Sequence, residues 1–297
     1  METLASVAKL QASWSGSATR LKRVLDSSRK ATLILGALGA LLAAIASQIP
    51  EARDWMHRDL AVASATMLGV ASFLTFRLLG ISRTVTWTRM RAASEALKHE
   101  MFQYAAMAAP YDELASSDGR LRQEADRIAA DVDDIIDVIW SRDQPGSVPL
   151  KRFQSPEEYI EGRVKAQIAW LEDRSERCRG SAALLHRWEF SLSLAATLLT
   201  MIVSVAGKNL FGFPFDLTAL TAVLTTVAGA VIAHIEASRF EFLTVSYRAT
   251  ARRLESELAL QGQPFSLPST AWSDFVHRCE AILANENAAW IARWSKI

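Results

Sequence analysis

Hydroxyl side chains at helical spacing within charge-free apolar runs are the residues in this sequence whose chemistry stands out. They are Ser193, Thr197, Thr200 and Ser204 in residues 190–207, and Thr218, Thr221 and Thr225 in residues 217–235. At 100° per residue, each set falls on one face of a helix. Such hydroxyls can hydrogen-bond between packed helices, or they can line a water-filled path in an oligomer. The sequence leaves both alternatives open.

Titratable side chains are expected at the cytoplasmic ends of the same runs. The candidate mouth charges are Arg77, His186, Glu189, His234 and Glu236. Arg77 and Glu236 occupy equivalent positions in the two halves of the chain and carry opposite charges. An ion pair between these two side chains is therefore one hypothesis for how the halves join.

No constellation of residues indicates catalysis, a cofactor or a metal. The His and Cys residues lack metal-ligand spacing, and no phosphate-binding loop or nucleophile elbow occurs. Asp131, Asp133, Asp134 and Asp137 favour a solvated helix face over a calcium loop, because the central Gly and terminal Glu are missing. The 33 basic and 32 acidic residues offer no basic excess for nucleic acid. We expect no enzyme activity, no cofactor and no nucleic-acid partner.

Four stretches without Asp, Glu, Lys or Arg must position these side chains: residues 31–50, 60–76, 190–207 and 217–235. Apolar runs of about 17–25 residues are long enough to cross a bilayer as helices. The second run continues to residue 80 if Arg77 reaches the interface or finds a partner. The fold class is thus an all-α integral membrane protein with two transmembrane hairpins and long cytoplasmic helical extensions.

The basic residues predict how the spans are oriented. The hairpin loops 51–59 and 208–216 contain only Arg53, Arg58 and Lys208 of the 33 basic side chains. Because cytoplasmic segments are enriched in Lys and Arg, both loops are expected outside, with the N- and C-termini inside.

The two hairpins predict a duplicated unit. Each consists of a span, a nine-residue loop and a returning span, and long amphipathic helices of coiled-coil type flank them. A Pro-rich segment, residues 141–156, separates a first unit at 1–140 from a second at 157–297. Ser155 and Pro156, followed by two acids, predict the start of a helix there. In the first span, Gly36, Ala40, Ala43 and Ser47 form a small-residue stripe suited to close helix contact.

This plan resembles the SLATT family, the SMODS- and SLOG-associating two-transmembrane effector domains. In the second half the resemblance is carried by an entry helix, an exit helix and a closing helix. Their matching residues are Arg163, Gln167 and Trp170, then Tyr247, Arg248, Ala249 and Glu255, and finally Glu280, Glu286 and Trp290. The first half resembles a diverged sibling, with Trp87, Arg91 and Glu95 after its second span, which implies a tandem form with two copies.

The resemblance implies a bacterial inner-membrane effector of phage-defence or conflict systems. Such a protein would oligomerise and form a pore when a cytosolic nucleotide-signalling or sensor partner activates it through its cytoplasmic helices. The alternative is a non-conducting scaffold or anchor that recruits a cytosolic partner. The sequence does not give the activating signal, the oligomer number, the helix that lines any pore, or whether the cytoplasmic helices bind a small ligand.

Overall fold

Long helices make up the chain in a computed structural model that describes residues 2–49, 54–78, 81–138, 151–206, 217–261, 265–266 and 269–294. The helices are α1 (Glu2–Ala46), α2 (Asp54–Leu78), α3 (Ile81–Ala105), α4 (Leu114–Ala130), α5 (Pro156–Tyr159), α6 (Ala166–Ala206), α7 (Leu217–Ser238), α8 (Phe240–Ala259) and α9 (Thr270–Trp294). A 3₁₀ helix (Asp133–Val138) follows α4, and a π-helix (Ile160–Lys165) joins α5 to α6. No strand occurs among these described residues.

Four helical stretches are long and apolar enough to cross a membrane: Glu2–Ala46, Trp55–Arg77, Pro156–Val205 and Leu217–Ala259. The prediction of an all-α membrane protein with four spans is therefore confirmed. Few side chains in these spans are buried within the chain, as expected for helices whose apolar surface faces lipid or another subunit.

The predicted helix start at Ser155 is confirmed. The Ser155 hydroxyl accepts a hydrogen bond from the Glu158 amide at 3.4 Å, and Pro156 occupies the first turn. The Glu158 carboxylate in turn accepts from the Gln154 amide at 2.7 Å. These bonds satisfy amide groups that a helix N-terminus leaves without intrahelical partners.

The last apolar span and the amphipathic helix that follows it do not form one continuous helix. Arg239 adopts a φ of 53°, which separates α7 from α8. Side chains other than Gly rarely adopt this left-handed conformation, and no Gly or Pro marks the position. The sequence therefore gave no signal for the break.

The contacts divide the chain into two units. One, here called the polar unit, comprises residues 1–23, 81–176 and 244–297. The other, the span unit, comprises residues 24–80 and 177–243. The predicted division into 1–140 and 157–297 stays a prediction, and residues 139–150 of its boundary region lie outside the described residues.

The core of the polar unit forms between α3, α4 and the beginning of α1. Its fully buried members include Trp14, Leu97 and Leu121. Helix α9 also packs on α3, and the Trp272 indole donates a hydrogen bond to the carbonyl of Ala106 at 2.8 Å.

In the span unit, α1 and α2 approach closely at Gly39. The Ser64 hydroxyl donates to the Gly39 carbonyl at 2.8 Å, and a Cβ on Gly39 would lie 2.8 Å from Cγ of Leu68. The predicted small-residue stripe does not form this contact with α2. A Cβ on Gly36 would contact nothing, and Ala43 is exposed, because the contact face runs through Gly39 instead.

We expect Gly39→Val to destabilise the α1–α2 hairpin, since the added methyl groups would overlap Leu68. Overpacking of this kind costs about 1–3 kcal/mol. Thermal unfolding in detergent measures the effect. Gly36→Val is the matched control on the same helix, because a Cβ there meets no atom within 4 Å. Equal loss in both variants would contradict the close contact.

Candidate functional site

The predicted hydroxyl stripe of α6 is exposed in the span unit and bonded to its own helix. Thr197 donates to the Ser193 carbonyl at 2.9 Å, and Thr200 donates to the Ala196 carbonyl at 2.8 Å. Ser204 donates to the Thr200 carbonyl at 2.9 Å. Ser193 is half-buried, whereas the other three residues are exposed.

The stripe of α7 follows the same pattern. Thr221 donates to the Leu217 carbonyl at 3.2 Å, and Thr225 donates to the Thr221 carbonyl at 3.0 Å. Thr218 and Thr225 are exposed and Thr221 is half-buried. These donors need no partner from a neighbouring helix, so Thr and Ser remain compatible with an apolar environment.

Two of the predicted mouth charges have polar partners within the span unit. His186 Nε2 lies 3.1 Å from the Glu241 carboxylate, a partner that the sequence pattern did not indicate. His234 lies 3.5 Å from the Ser238 hydroxyl, and Glu189 is half-buried.

The hypothesis of an Arg77–Glu236 ion pair is not supported. Both side chains are exposed, and none of the ion pairs between described residues joins them. Equivalent positions in the two hairpins therefore do not form an ion pair between these described residues of the span unit.

A buried carboxylate organises the polar unit instead. Glu280 on α9 is 1% exposed. Arg163 donates to its two oxygens through Nε and Nη2, each at 2.8 Å. The Tyr159 hydroxyl donates to Oε1 at 3.0 Å, and Nδ1 of His99 lies 2.6 Å from Oε2. The α5–π segment and α3 thus both hold this side chain.

Burial by itself would raise the pKa of Glu280, because a charged carboxylate loses its hydration. The Arg163 guanidinium and the His99 ring outweigh burial and hold the pKa well below its usual range. Glu280 is therefore ionised at neutral pH. The guanidinium also stacks over the Phe102 ring, with 3.9 Å from its Cζ to the ring centroid.

A cavity of about 580 Å³ opens beside this ion pair, within the polar unit. We call it the aromatic–basic cavity. On α3 it is lined by Trp87, Arg91 and Glu95, which share one helix face at intervals of four residues. Arg91 pairs with Glu95 at 2.5 Å, and Lys98 lies 3.8 Å from the same carboxylate.

The second wall of the cavity comes from the π-helix and α6. Arg163, Gln167, Trp170 and Arg174 line it at helical intervals. A π-turn is rare and is often found at functional sites, and here it carries Arg163.

Aromatic rings pair on the cavity wall. Trp87 on α3 and Trp290 on α9 meet edge to face, with ring centroids 4.8 Å apart. Trp170 on α6 and Tyr247 on α8 meet in the same way at 5.7 Å. Trp170 remains 46% exposed, so part of its ring is free for another contact.

Two polar atoms on the wall lack partners among the described residues: Oε1 of Glu286 and Nε2 of His99. Burial and then repulsion from Glu95 raise the pKa of Glu286 to about 7, against a smaller opposing effect of Arg91. At neutral pH this carboxyl can therefore accept or donate a hydrogen bond.

Sequence patterns had singled out most of these side chains without bringing them together. The matching residues of both halves that line this one cavity or bond to its wall are Trp87, Arg91, Glu95, Arg163, Gln167, Trp170, Tyr247, Glu280, Glu286 and Trp290. The cavity could not be predicted from the sequence because its walls are far apart along the chain. Their common helical spacing was the available signal.

The comparisons with known proteins cover the two halves separately. Residues 159–290 match the family model described as SMODS and SLOG-associating 2TM effector domain 1. Residues 12–119 match the model described as Protein of unknown function (DUF4231). The resemblance of the second half to SLATT domains is thus supported, whereas a tandem of two such copies is not confirmed. No curated protein and no solved structure matches the chain.

We expect Arg163→Met to destabilise the polar unit by about 3–5 kcal/mol, because Glu280 would be left as an uncompensated buried charge. Adding Glu280→Met should recover much of the loss, since two apolar side chains replace the pair. Thermal and denaturant unfolding of the single and double variants measures the coupling. The control is Arg278→Met on α9, which breaks an exposed pair with Glu257 and should cost about 1 kcal/mol or less. Additive losses in Arg163→Met and Glu280→Met would contradict the buried pair.

We expect Glu286 to make the folded state less stable as pH rises from about 4.5 to about 7. The pKa of Glu286 is raised in the folded protein, so the folded state holds this proton more tightly than the unfolded state does. The resulting stabilisation is fully present below the pKa of the unfolded state, and it is lost as the pH rises through the pKa of the folded state. In Glu286→Gln the melting temperature should therefore change less with pH across this range than it does in the wild type. An unchanged pH dependence of stability in Glu286→Gln would show that the pKa of this carboxyl is not raised.

Proposed function

We propose that the protein is an oligomeric bacterial inner-membrane effector of phage defence or conflict that conducts when activated. The span unit would form the path, and the polar unit, in the cytoplasm, would receive the signal. The observation that carries the proposal is the exposed hydroxyl stripe on α6 and α7, in the segment that matches a two-transmembrane effector domain.

The hydrogen bonding of the stripe supports a conducting assembly. Each donor of Thr197, Thr200 and Thr225 is already bound to its own helix, so the stripe requires no fixed neighbour. The hydroxyl oxygens keep lone pairs that can accept from water. Helices with this property can face lipid in one state and a hydrated path in another, as a bistable assembly requires.

The exposure of the spans supports a homo-oligomer. Only 6% of the apolar window of Pro156–Val205 is buried within the chain. In a bilayer that surface faces lipid or other copies, and exposed Ser and Thr residues are typical of helix–helix contacts. The scarcity of basic residues in loops 51–59 and 208–216 supports placing both termini in the cytoplasm.

The test uses cells that carry the gene with its genomic neighbours, challenged with phage and followed with a potential-sensitive dye. We expect depolarisation of the inner membrane before lysis. Cell arrest with an intact membrane potential would contradict conduction and favour the scaffold that recruits a cytosolic partner.

Variants of the stripe separate the two functions further. Thr197→Val combined with Thr200→Val keeps side-chain shape but removes two hydroxyls, so we expect slower depolarisation from a pore. If the protein is a non-conducting scaffold, its activity should not change when these two hydroxyls are removed. Thr226→Val is the control. Thr226 is exposed on α7 and donates to the Ala222 carbonyl, as the stripe residues do to their own helices. It lies about 100° around the helix from Thr225, however, and so does not belong to the α7 stripe.

A further inference from the structure

We propose that the span unit binds the phosphate headgroup of an anionic phospholipid, at the point where the start of the first span meets the end of the fourth. The site is formed by α1 and α7, and it lies wholly within the span unit. This inference goes beyond the proposed function, because a lipid can bind there whether or not the protein conducts.

Basic side chains of α1 gather beside a histidine of α7. Arg29 and Lys30 lie close enough to His234 for their positive charges to act on its ring. The acidic residue that also acts there is Asp26, which is 47% exposed and lies 3.9 Å from the Arg29 guanidinium. Glu236, the next acid on α7, lies about 200° around the helix from His234 and so points elsewhere. Two cations beside one carboxylate leave a positive charge that favours an anion as ligand.

The position of these charges matches the level of the lipid phosphates. Lys30 directly precedes the charge-free run 31–50, and His234 is the penultimate residue of the run 217–235. Both residues are therefore expected where the hydrocarbon meets the headgroups. Trp188, just before the third run, is 59% exposed, as is typical of an aromatic ring at this boundary. Basic pockets between membrane helices at this level are typical sites for anionic headgroups.

The face of α1 that begins at Lys30 offers a surface for an acyl chain. Exposed aliphatic side chains continue it at intervals of three and four residues: Ile34, Leu38, Leu41 and Ile45. At 100° per residue, all four lie within about 80° of Lys30. Gly39, where α1 contacts α2, lies about 180° from Lys30, so α2 does not cover this aliphatic stripe.

The length of the aliphatic stripe also fits a lipid. At 1.5 Å per residue, residues 34–45 extend over about 16 Å, close to half of a hydrocarbon core about 30 Å thick. A soluble phosphate would match the charges alone, and an apolar helix of another protein would match the stripe alone. A phospholipid with a net negative headgroup matches both.

The experiment measures lipid binding to the purified full-length protein in a non-ionic detergent. The probes are phosphatidylglycerol, phosphatidylcholine with the same acyl chains as the zwitterionic control, and glycerol phosphate as a headgroup without chains. Native mass spectrometry counts the bound lipids, and thermal unfolding measures the stabilisation that a ligand of the folded state must produce. We expect phosphatidylglycerol to bind about tenfold or more tightly than phosphatidylcholine, because two basic side chains lie beside its phosphate.

Three results would overturn the proposal. Equal binding of the two lipids would show that the charges do not select the headgroup. Equal binding of glycerol phosphate and phosphatidylglycerol would indicate a soluble phosphate site. Copies that associate but retain no phosphatidylglycerol would assign the aliphatic stripe to a second copy of the chain.

Variants locate the headgroup on α1. Lys30→Gln should weaken phosphatidylglycerol binding about fivefold, the effect expected for one basic side chain near an anionic headgroup. Lys30 is exposed and forms no ion pair with any residue in the described part of the chain, so this change should leave folding intact. Lys30→Arg keeps the charge and should retain binding.

Arg187→Gln is the matched control on α6. Arg187 is exposed next to Trp188, and its charge is not among those that act on His234. We expect this variant to bind phosphatidylglycerol as the wild type does. A loss equal to that in Lys30→Gln would indicate a general attraction between basic residues and anionic lipid, and it would overturn the assignment to α1 and α7.

Discussion

The polar unit depends on burying one carboxylate, that of Glu280. Taking an ionised group out of water costs several kcal/mol, and only close, well-directed partners offset that cost. Those partners are the fork of Arg163, the Tyr159 hydroxyl and the His99 ring. They come from two distant stretches of sequence, so this one side chain ties α9 both to α3 and to the α5–π segment. A hydrophobic contact would tolerate sliding, whereas this arrangement does not.

The cavity is a direct result of that arrangement. The Arg163 guanidinium is bound to Glu280 and stacked over Phe102, so its position is fixed. It therefore forms part of the cavity wall and is not free to move toward another anion. Arg91 is held in the same way by Glu95. The lining thus combines fixed, neutralised charges with the unpaired Arg174 and with paired aromatic rings. Such rigidity reduces the ordering cost of binding a ligand.

Much of this architecture could be predicted from the sequence because it depends on local patterns. The four spans follow from the absence of charge over sufficient length, and the cap at Ser155 follows from its neighbours. Features that depend on contact between distant segments could not be predicted. The first span carries small residues on more than one face, so composition alone does not select Gly39 over Gly36. The meeting of Trp87 with Trp290 also required the tertiary structure. The break at Arg239 lacks the Gly or Pro that usually marks one.

The π-helix at Ile160–Lys165 has a consequence for the length of this segment. A π-turn holds one residue more than an α-turn, so it offsets the phase of the following residues by about 100°. Deleting one residue here would restore regular α-helical hydrogen bonds, and it would not lower the helix propensity of the segment. It would also rotate Gln167, Trp170 and Arg174 away from the face that Arg163 now shares with them. The irregular backbone therefore acts as a spacer that sets the angular register between the buried ion pair and the rest of the cavity wall.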